Sequence, residues 1–195
     1  PVWKISADIL KRKPDVVGVS IYIWNRGQSF QLIEMLKKQC PALSIVIGGP
    51  EVSFEPTLAD DHTLIAGEGE NKWVEYLGFC SRNESPPLDV LKRWNTYGTD
   101  LPELSPAYLP EDLDDLKNRM VYMESSRGCP YQCSFCLSAL DKTVRYFDDN
   151  LVRDQIMLLA DNKIRAIKFI DRTFNLKPQR MLRLLQWLTQ FRATT

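Results

Sequence analysis

Three of the five cysteines, Cys129, Cys133 and Cys136, fall within eight residues of one another. They lie in the run Ser125-Ser126-Arg127-Gly128-Cys129-Pro130-Tyr131-Gln132-Cys133-Ser134-Phe135-Cys136. Thiolates are soft, anionic ligands suited to iron–sulfur clusters or to zinc. The spacing C-x3-C-x2-C supplies three of them, so a [4Fe–4S] cubane held here keeps one iron without a protein ligand. An open metal position is what direct binding of a substrate requires. A structural zinc site takes four ligands, commonly from two Cys/His pairs. No second pair is present, and the only histidine, His62, lies far upstream and reads as a surface polar residue. An iron–sulfur cluster, a structural zinc site and plain structural or redox thiols are the accounts open for the loop. Cys40 and Cys80 stand apart and read as ordinary thiols.

The loop needs elements that hold it. Met120–Glu124 before it reads as a short strand and residues 149–161 after it as an amphipathic helix, with Val152, Ile156 and Leu159 on one face. Ala166–Ile170 reads as a second buried strand, ended by Asp171-Arg172-Thr173. A last helix follows over 178–191, with Pro178 in its first turn and Met181, Leu185, Leu188 and Phe191 as its apolar face. Two βα units do not close a barrel, so this half reads as truncated.

The upstream half has a similar alternation. Residues 4–12 suit a short helix, and 16–23 form a nearly continuous apolar, β-branched run, the pattern of a strand buried on both faces. A helix over 28–39, strands at 44–47 and 63–66, and a helix over 70–80 with Trp73, Val74 and Leu77 inward complete the series. Alternating strands and helices imply βαβ crossovers in a Rossmann-like, doubly wound parallel sheet. Ligands of such sheets sit beyond the carboxyl ends of the strands. Ser20, Gly48-Gly49 and Gly67-Glu68-Gly69 all fall there. Between the halves, 82–119 is rich in proline and ends in the acidic run Glu111-Asp112-Leu113-Asp114-Asp115, the composition of an interdomain connection. The expected organisation is therefore a Rossmann-like domain over 1–81, a linker over 82–119 and a second α/β domain over 120–195.

C-x3-C with an aromatic residue just before the third cysteine resembles the signature of radical S-adenosylmethionine (radical SAM) enzymes. The resemblance implies that Cys129, Cys133 and Cys136 hold a [4Fe–4S] cluster and that its open iron chelates SAM. It also implies reductive cleavage of SAM to methionine and a 5′-deoxyadenosyl radical. Phe135 would pack beside the adenine, and Asp171 and Thr173, after the second strand, would accept hydrogen bonds from the SAM ammonium. No glycine pair stands there. The implied fold of the second half is the start of a partial (β/α)6 barrel.

The whole chain resembles the cobalamin-binding-domain radical SAM proteins, a group that includes anaerobic magnesium-protoporphyrin IX monomethyl ester oxidative cyclases. Cobalamin domains commonly carry D-x-H-x-x-G, S-x-L and G-G in that order. Ser20-Ile21-Tyr22 stands where S-x-L would, with Tyr22 replacing the leucine, and Gly48-Gly49 follows. By this resemblance Ser20, Tyr22, Gly48, Gly49, Gly67 and Gly69 line a cobalamin site. The D-x-H-x-x-G element would precede Pro1, so this stretch is expected to bind cobalamin weakly by itself. A protein-docking domain without cobalamin is the alternative. The implied activity is oxidative cyclisation or methyl transfer on a small molecule, served by a low-potential electron donor of flavodoxin or ferredoxin type.

The composition agrees with these classes. The 195 residues are 44% hydrophobic and 26% charged, enough for a sizeable core. Lys plus Arg and Asp plus Glu number 25 each, a balance that predicts neither a nucleic-acid nor a membrane partner. No apolar run approaches the roughly 18 residues of a membrane span. Crowded thiols and no secretion signal lead us to expect a reducing, cytoplasmic setting.

Overall fold

A computed structural model describes residues 1–59, 62–97, 105–136, 138 and 143–193, with side chains described to residue 190. The chain divides into two compact units, Pro1–Pro102 and Glu103–Thr195.

The first unit holds a three-stranded parallel sheet in the order β1-β2-β3: β1 (Val16–Ser20), β2 (Ser44–Gly48) and β3 (Thr63–Ile65). Ser20 pairs with Gly48, and Gly48 with Ile65, so the three carboxyl ends lie side by side. Because strand side chains alternate between faces, a strand apolar at every position must be covered twice. Ile45, Ile47 and Leu64 join one core, against which residues of α1 (Val2–Lys11) and α2 (Arg26–Gln39) pack. Val46 and Ile65 join the other, with Tyr76 of α4 (Glu70–Ser81) and Trp94 of α5 (Leu88–Trp94). The short α3 (Pro50–Phe54) follows β2. This is the doubly wound arrangement expected. β1 departs from expectation in burial. Among the described residues it is hydrogen-bonded on one side only, which leaves Gly18 and Ser20 exposed, and the strand ends at Ser20, short of the end of the apolar run at residue 23.

α4 also presents a different face from the one expected. Val74 and Leu77 are exposed, while Lys72 and Tyr76 are buried. The Lys72 ammonium explains the rotation, since its Nζ donates to the carbonyls of Ala66 (2.9 Å), Trp94 (3.3 Å) and Thr96 (3.3 Å). The stretch expected to be linker thus contributes core: Trp94 is fully buried, and its indole Nε1 donates to Glu75 at 2.8 Å.

In the second unit, β4 (Met120–Met123) and β7 (Ala166–Phe169) pair in parallel, Met120 opposite Ala166, on either side of α7 (Asp149–Asp161). Asp148 caps α7 by accepting from the amides of Asn150 and Leu151. Val152, Ile156 and Leu159 are fully buried, as their spacing predicts. Leu113, in the short helix α6 (Leu113–Leu116), is buried against Val121 and Leu159, so the end of the expected linker also belongs to a core. In α8 (Pro178–Ala193) the buried stripe is Arg180 and Leu184, whereas Leu185 is exposed. Phe191, expected on that face, lies outside the described side chains.

Arg180 sets the rotation of α8. Its Nε donates to Asp149 Oδ1 at 2.8 Å, and Arg183 reaches Asp149 Oδ2 at 2.6 Å. Burial pushes the Asp149 pKa up, but the hydrogen bonds and charges of Arg183 and Arg180 outweigh it and hold the carboxyl below 3.8. A depressed carboxylate pKa stabilises the fold above the unfolded value and loses that contribution as pH falls through the folded one. The unit should lose stability below about pH 4, by about 1 kcal/mol or less because Asp149 is partly exposed. Thermal melts of wild type and Asp149→Asn across pH 2–6 check this, with a shallower acid slope expected for the variant.

Candidate functional site

Two groups of side chains have site-like surroundings, one in each unit. In the first unit the loops at the carboxyl ends of the three strands are stitched together. Ile21, fully buried, donates its amide to Gly48 O at 2.8 Å, and its carbonyl accepts from Glu51 N at 3.2 Å. Gly49 stands at φ +98°, and a Cβ there would lie 2.6 Å from Ile21 O. Only glycine brings the two loops this close. Ser53 Oγ donates to Gly49 O at 2.7 Å and accepts from Gly67 N at 2.9 Å, tying the second loop to the third. Gly67 is itself at φ +71°. Gly69 immediately precedes α4. In the first loop, Asn25 accepts from Tyr22 N at 2.8 Å and donates to Ser20 O at 3.1 Å. The Tyr22 ring stacks on Trp24 at 4.6 Å, and Trp24 and Ile23 are both exposed.

Ser20, Tyr22, Gly48, Gly49, Gly67 and Gly69 therefore all sit at one edge of one sheet, where a parallel sheet receives ligands. Ser53 and Asn25, which fix that edge, were missed. Each acts through a loop neighbour or a partner on another strand, and neither belongs to a motif.

In the second unit the cysteine loop leaves β4 and is closed at its foot by an antiparallel pair that the sequence did not reveal. β5 (Ser126–Arg127) pairs with β6 (Arg145–Tyr146), Ser126 opposite Tyr146. Cys129 is half-buried, with its Sγ 3.2 Å from Thr173 Oγ1. Cys133 and Cys136 are exposed, and a turn joins Cys136 N to Cys133 O at 3.0 Å. Among the described residues no three Cys, His, Asp or Glu side chains stand close enough to hold a metal ion. The donor set itself, three thiols on one short loop with two at the surface, has the chemistry that an iron–sulfur cluster or zinc requires of its ligands. Phe135, between the last two cysteines, is 91% exposed.

Asp171 and Thr173, read from sequence as acceptors for an ammonium, have protein partners. The Asp171 carboxylate accepts from Ser125 N (2.9 Å), Ser125 Oγ (2.6 Å) and Ser126 Oγ (2.7 Å). Arg180 Nη1 donates to Ser125 Oγ at 3.1 Å, and Arg180 Nη2 to Phe147 O at 3.1 Å. Asp171 thus fastens the end of β7 to the start of the cysteine loop, and Thr173 faces a cysteine.

Residues 3–77 match the B12-binding domain family. Over 92% of its length the chain is 27% identical to the cobalamin-dependent radical SAM methyltransferase TokK of Streptomyces tokunonensis, of which it spans 30%. It is 25% identical over 73% of its length to the bacteriochlorophyllide d C-8(2)-methyltransferase of Chlorobaculum tepidum, of which it spans 32%. Among solved structures, the radical SAM methyltransferase TsrM from Kitasatospora setae, with cobalamin and a [4Fe–4S] cluster bound, superposes with a TM-score of 0.67 at 18% identity. That likeness covers 100% of this chain and 43% of TsrM. The cobalamin-dependent radical SAM enzyme OxsB, with aqua-cobalamin bound, superposes equally well, at a TM-score of 0.67 and 20% identity over 97% of the chain.

Proposed function

We propose, for a chain whose residues 3–77 match the B12-binding domain family and whose fold is that of cobalamin-dependent radical SAM enzymes, that the protein is itself a cobalamin-dependent radical SAM methyltransferase acting on a small molecule. The observation that carries this reading is the coexistence of two things in one chain. One is a B12-type sheet with three stitched loops at its carboxyl edge. The other is a βα unit whose first loop bears C-x3-C-x2-C. The two relatives described above are methyltransferases, which favours methyl transfer and lends the oxidative-cyclase reading no support.

In this proposal Cys129, Cys133 and Cys136 would hold a [4Fe–4S] cluster, and the exposed ring of Phe135 would pack beside the adenine of SAM. Ser20, Tyr22, Gly48, Gly49, Gly67 and Gly69 form the cradle for cobalamin. Glycine at 49 lets the loops after β1 and β2 meet, and Gly67 takes a positive φ in the loop after β3, so tight turns close the strand ends where the cradle would lie. When bound, the cluster supplies a low-potential electron to SAM and cobalamin supplies a methyl carrier; the protein binds and orients both. A flavodoxin- or ferredoxin-type donor provides the electron.

The test has two parts, both anaerobic. Titration of the complete protein with cobalamin should shift the corrin absorbance and saturate at one equivalent. Reconstitution with iron and sulfide should give a reduced-cluster EPR signal that changes on adding SAM. Binding of zinc in place of a cluster would return the cysteines to a structural role. A cluster without cobalamin binding would leave the first unit as a docking domain.

A further inference from the structure

We infer that Thr173 tunes the reduction potential of the cluster by donating a hydrogen bond to the Sγ of Cys129. The inference rests on the proposed function, because it takes Cys129 as a cluster ligand. Cys129 Sγ and Thr173 Oγ1 are 3.2 Å apart, within the range of a hydrogen bond to sulfur, although the residues are 44 positions apart in sequence. A thiolate bound to iron carries no proton, so in that state the hydroxyl must be the donor.

The hydroxyl is held there. On one side, Phe174 packs against Phe169 at 5.0 Å and joins the core formed by Met123, Ile156 and Leu184. On the other, Asp171 accepts three hydrogen bonds from Ser125 and Ser126, at the foot of the cysteine loop. Buried Arg180 secures Ser125 in turn. The segment 171–174 and the start of the loop are thus fixed to each other within three residues of the contact.

A hydrogen bond to a cluster sulfur draws negative charge away from the iron. It stabilises the reduced, more negatively charged cluster more than the oxidised one, and so raises the potential. Thr173 is thereby a residue for cluster reduction, and Asp171 and Arg180 are positioning residues that act through it.

The experiment compares the reduction potential of the reconstituted complete protein, by mediated titration followed by EPR, in wild type, Thr173→Val and Thr173→Ser. Valine keeps the shape and removes the donor; serine keeps the donor. The expected result is a lower potential for Thr173→Val and one near wild type for Thr173→Ser. An unchanged potential in a Val variant that holds its full cluster overturns the inference while leaving the proposed function standing. If Thr173→Val does not assemble a cluster, Thr173→Ala against Thr173→Ser decides in the same way, because those two differ only in the hydroxyl. Equal potentials overturn the inference. A lower potential for Ala supports it, and failure of Ala as well to retain iron overturns it, because the hydroxyl then serves to hold the cluster and not to set its potential. Absence of a cluster from the wild type itself would take down both the inference and the reading beneath it.

Discussion

Cys133→Ala is expected to abolish the reduced-cluster EPR signal and to lower any SAM-cleaving activity by more than 100-fold, while leaving the melting temperature of the cluster-free protein almost unchanged. The two effects separate because of where the thiol sits. Cys133 is exposed, so removing its sulfur creates no cavity, and surface changes of this kind stay within about 0.5 kcal/mol. The proposed cluster has three protein ligands, and loss of one exceeds the 10- to 100-fold penalty typical of changes to groups that only support a ligand. The contrasting variant is Cys40→Ala, in the first unit, which should keep the full signal. Iron and sulfide analysis with EPR measures the first effect, and circular dichroism melts measure the second. A Cys133→Ala protein with a wild-type signal would remove that residue from the ligand set.

The second large effect is expected from Gly49→Ala. A non-glycine residue at φ +98° carries about 1–3 kcal/mol of backbone strain. The added methyl would also stand 2.6 Å from Ile21 O and 2.7 Å from Ile21 N, and backbone atoms of a fully buried residue have little room to retreat. Overpacking of this kind adds about 1–3 kcal/mol. A loss of about 2–6 kcal/mol is a large part of the stability of a small domain. Urea unfolding should show it directly. Cobalamin affinity should fall as well, since the loops after β1 and β2 can no longer meet. Gly48→Ala provides the graded comparison. Its nearest contact is Ile65 O at 3.1 Å and its φ is not positive, so a smaller loss is expected. Equal stability of Gly49→Ala and wild type would mean that the loop relaxes freely and that the close approach is not required.

How far these residues could be found from sequence depends on how local their reasons are. β2 was legible because Ile45, Val46 and Ile47 face two cores in alternation, which forces an unbroken apolar run. The inner face of α7 was legible because Val152, Ile156 and Leu159 repeat at helical spacing and meet apolar neighbours. The inner faces of α4 and α8 were misread for one shared reason. In each, a long cation goes inward, Lys72 or Arg180, to meet acceptors that are distant in sequence. Hydropathy puts such a residue outside. The cysteines were legible because a loop of ligands is read by spacing alone. The partners of that loop were not: Arg180 is 55 positions from Ser125, and Asp171 is 46 positions from it. Sequence placed Asp171 and Thr173 at a strand end, but nothing in it says which way a side chain there turns.

The clamp of Lys72 on the carbonyls of Ala66, Trp94 and Thr96 bears on how this piece of protein can be inherited or transplanted. The family match ends at residue 77, and the composition changes just after 81, so either point invites a cut. A graft ending there would leave an ammonium group in an apolar interior without two of its three carbonyls, and would open a cavity the size of an indole. The seam along which recombination can exchange this module is the boundary between the two units, after Pro102. A recipient that takes the sheet without α5 receives a second core that lacks Trp94, Val90 and Leu91.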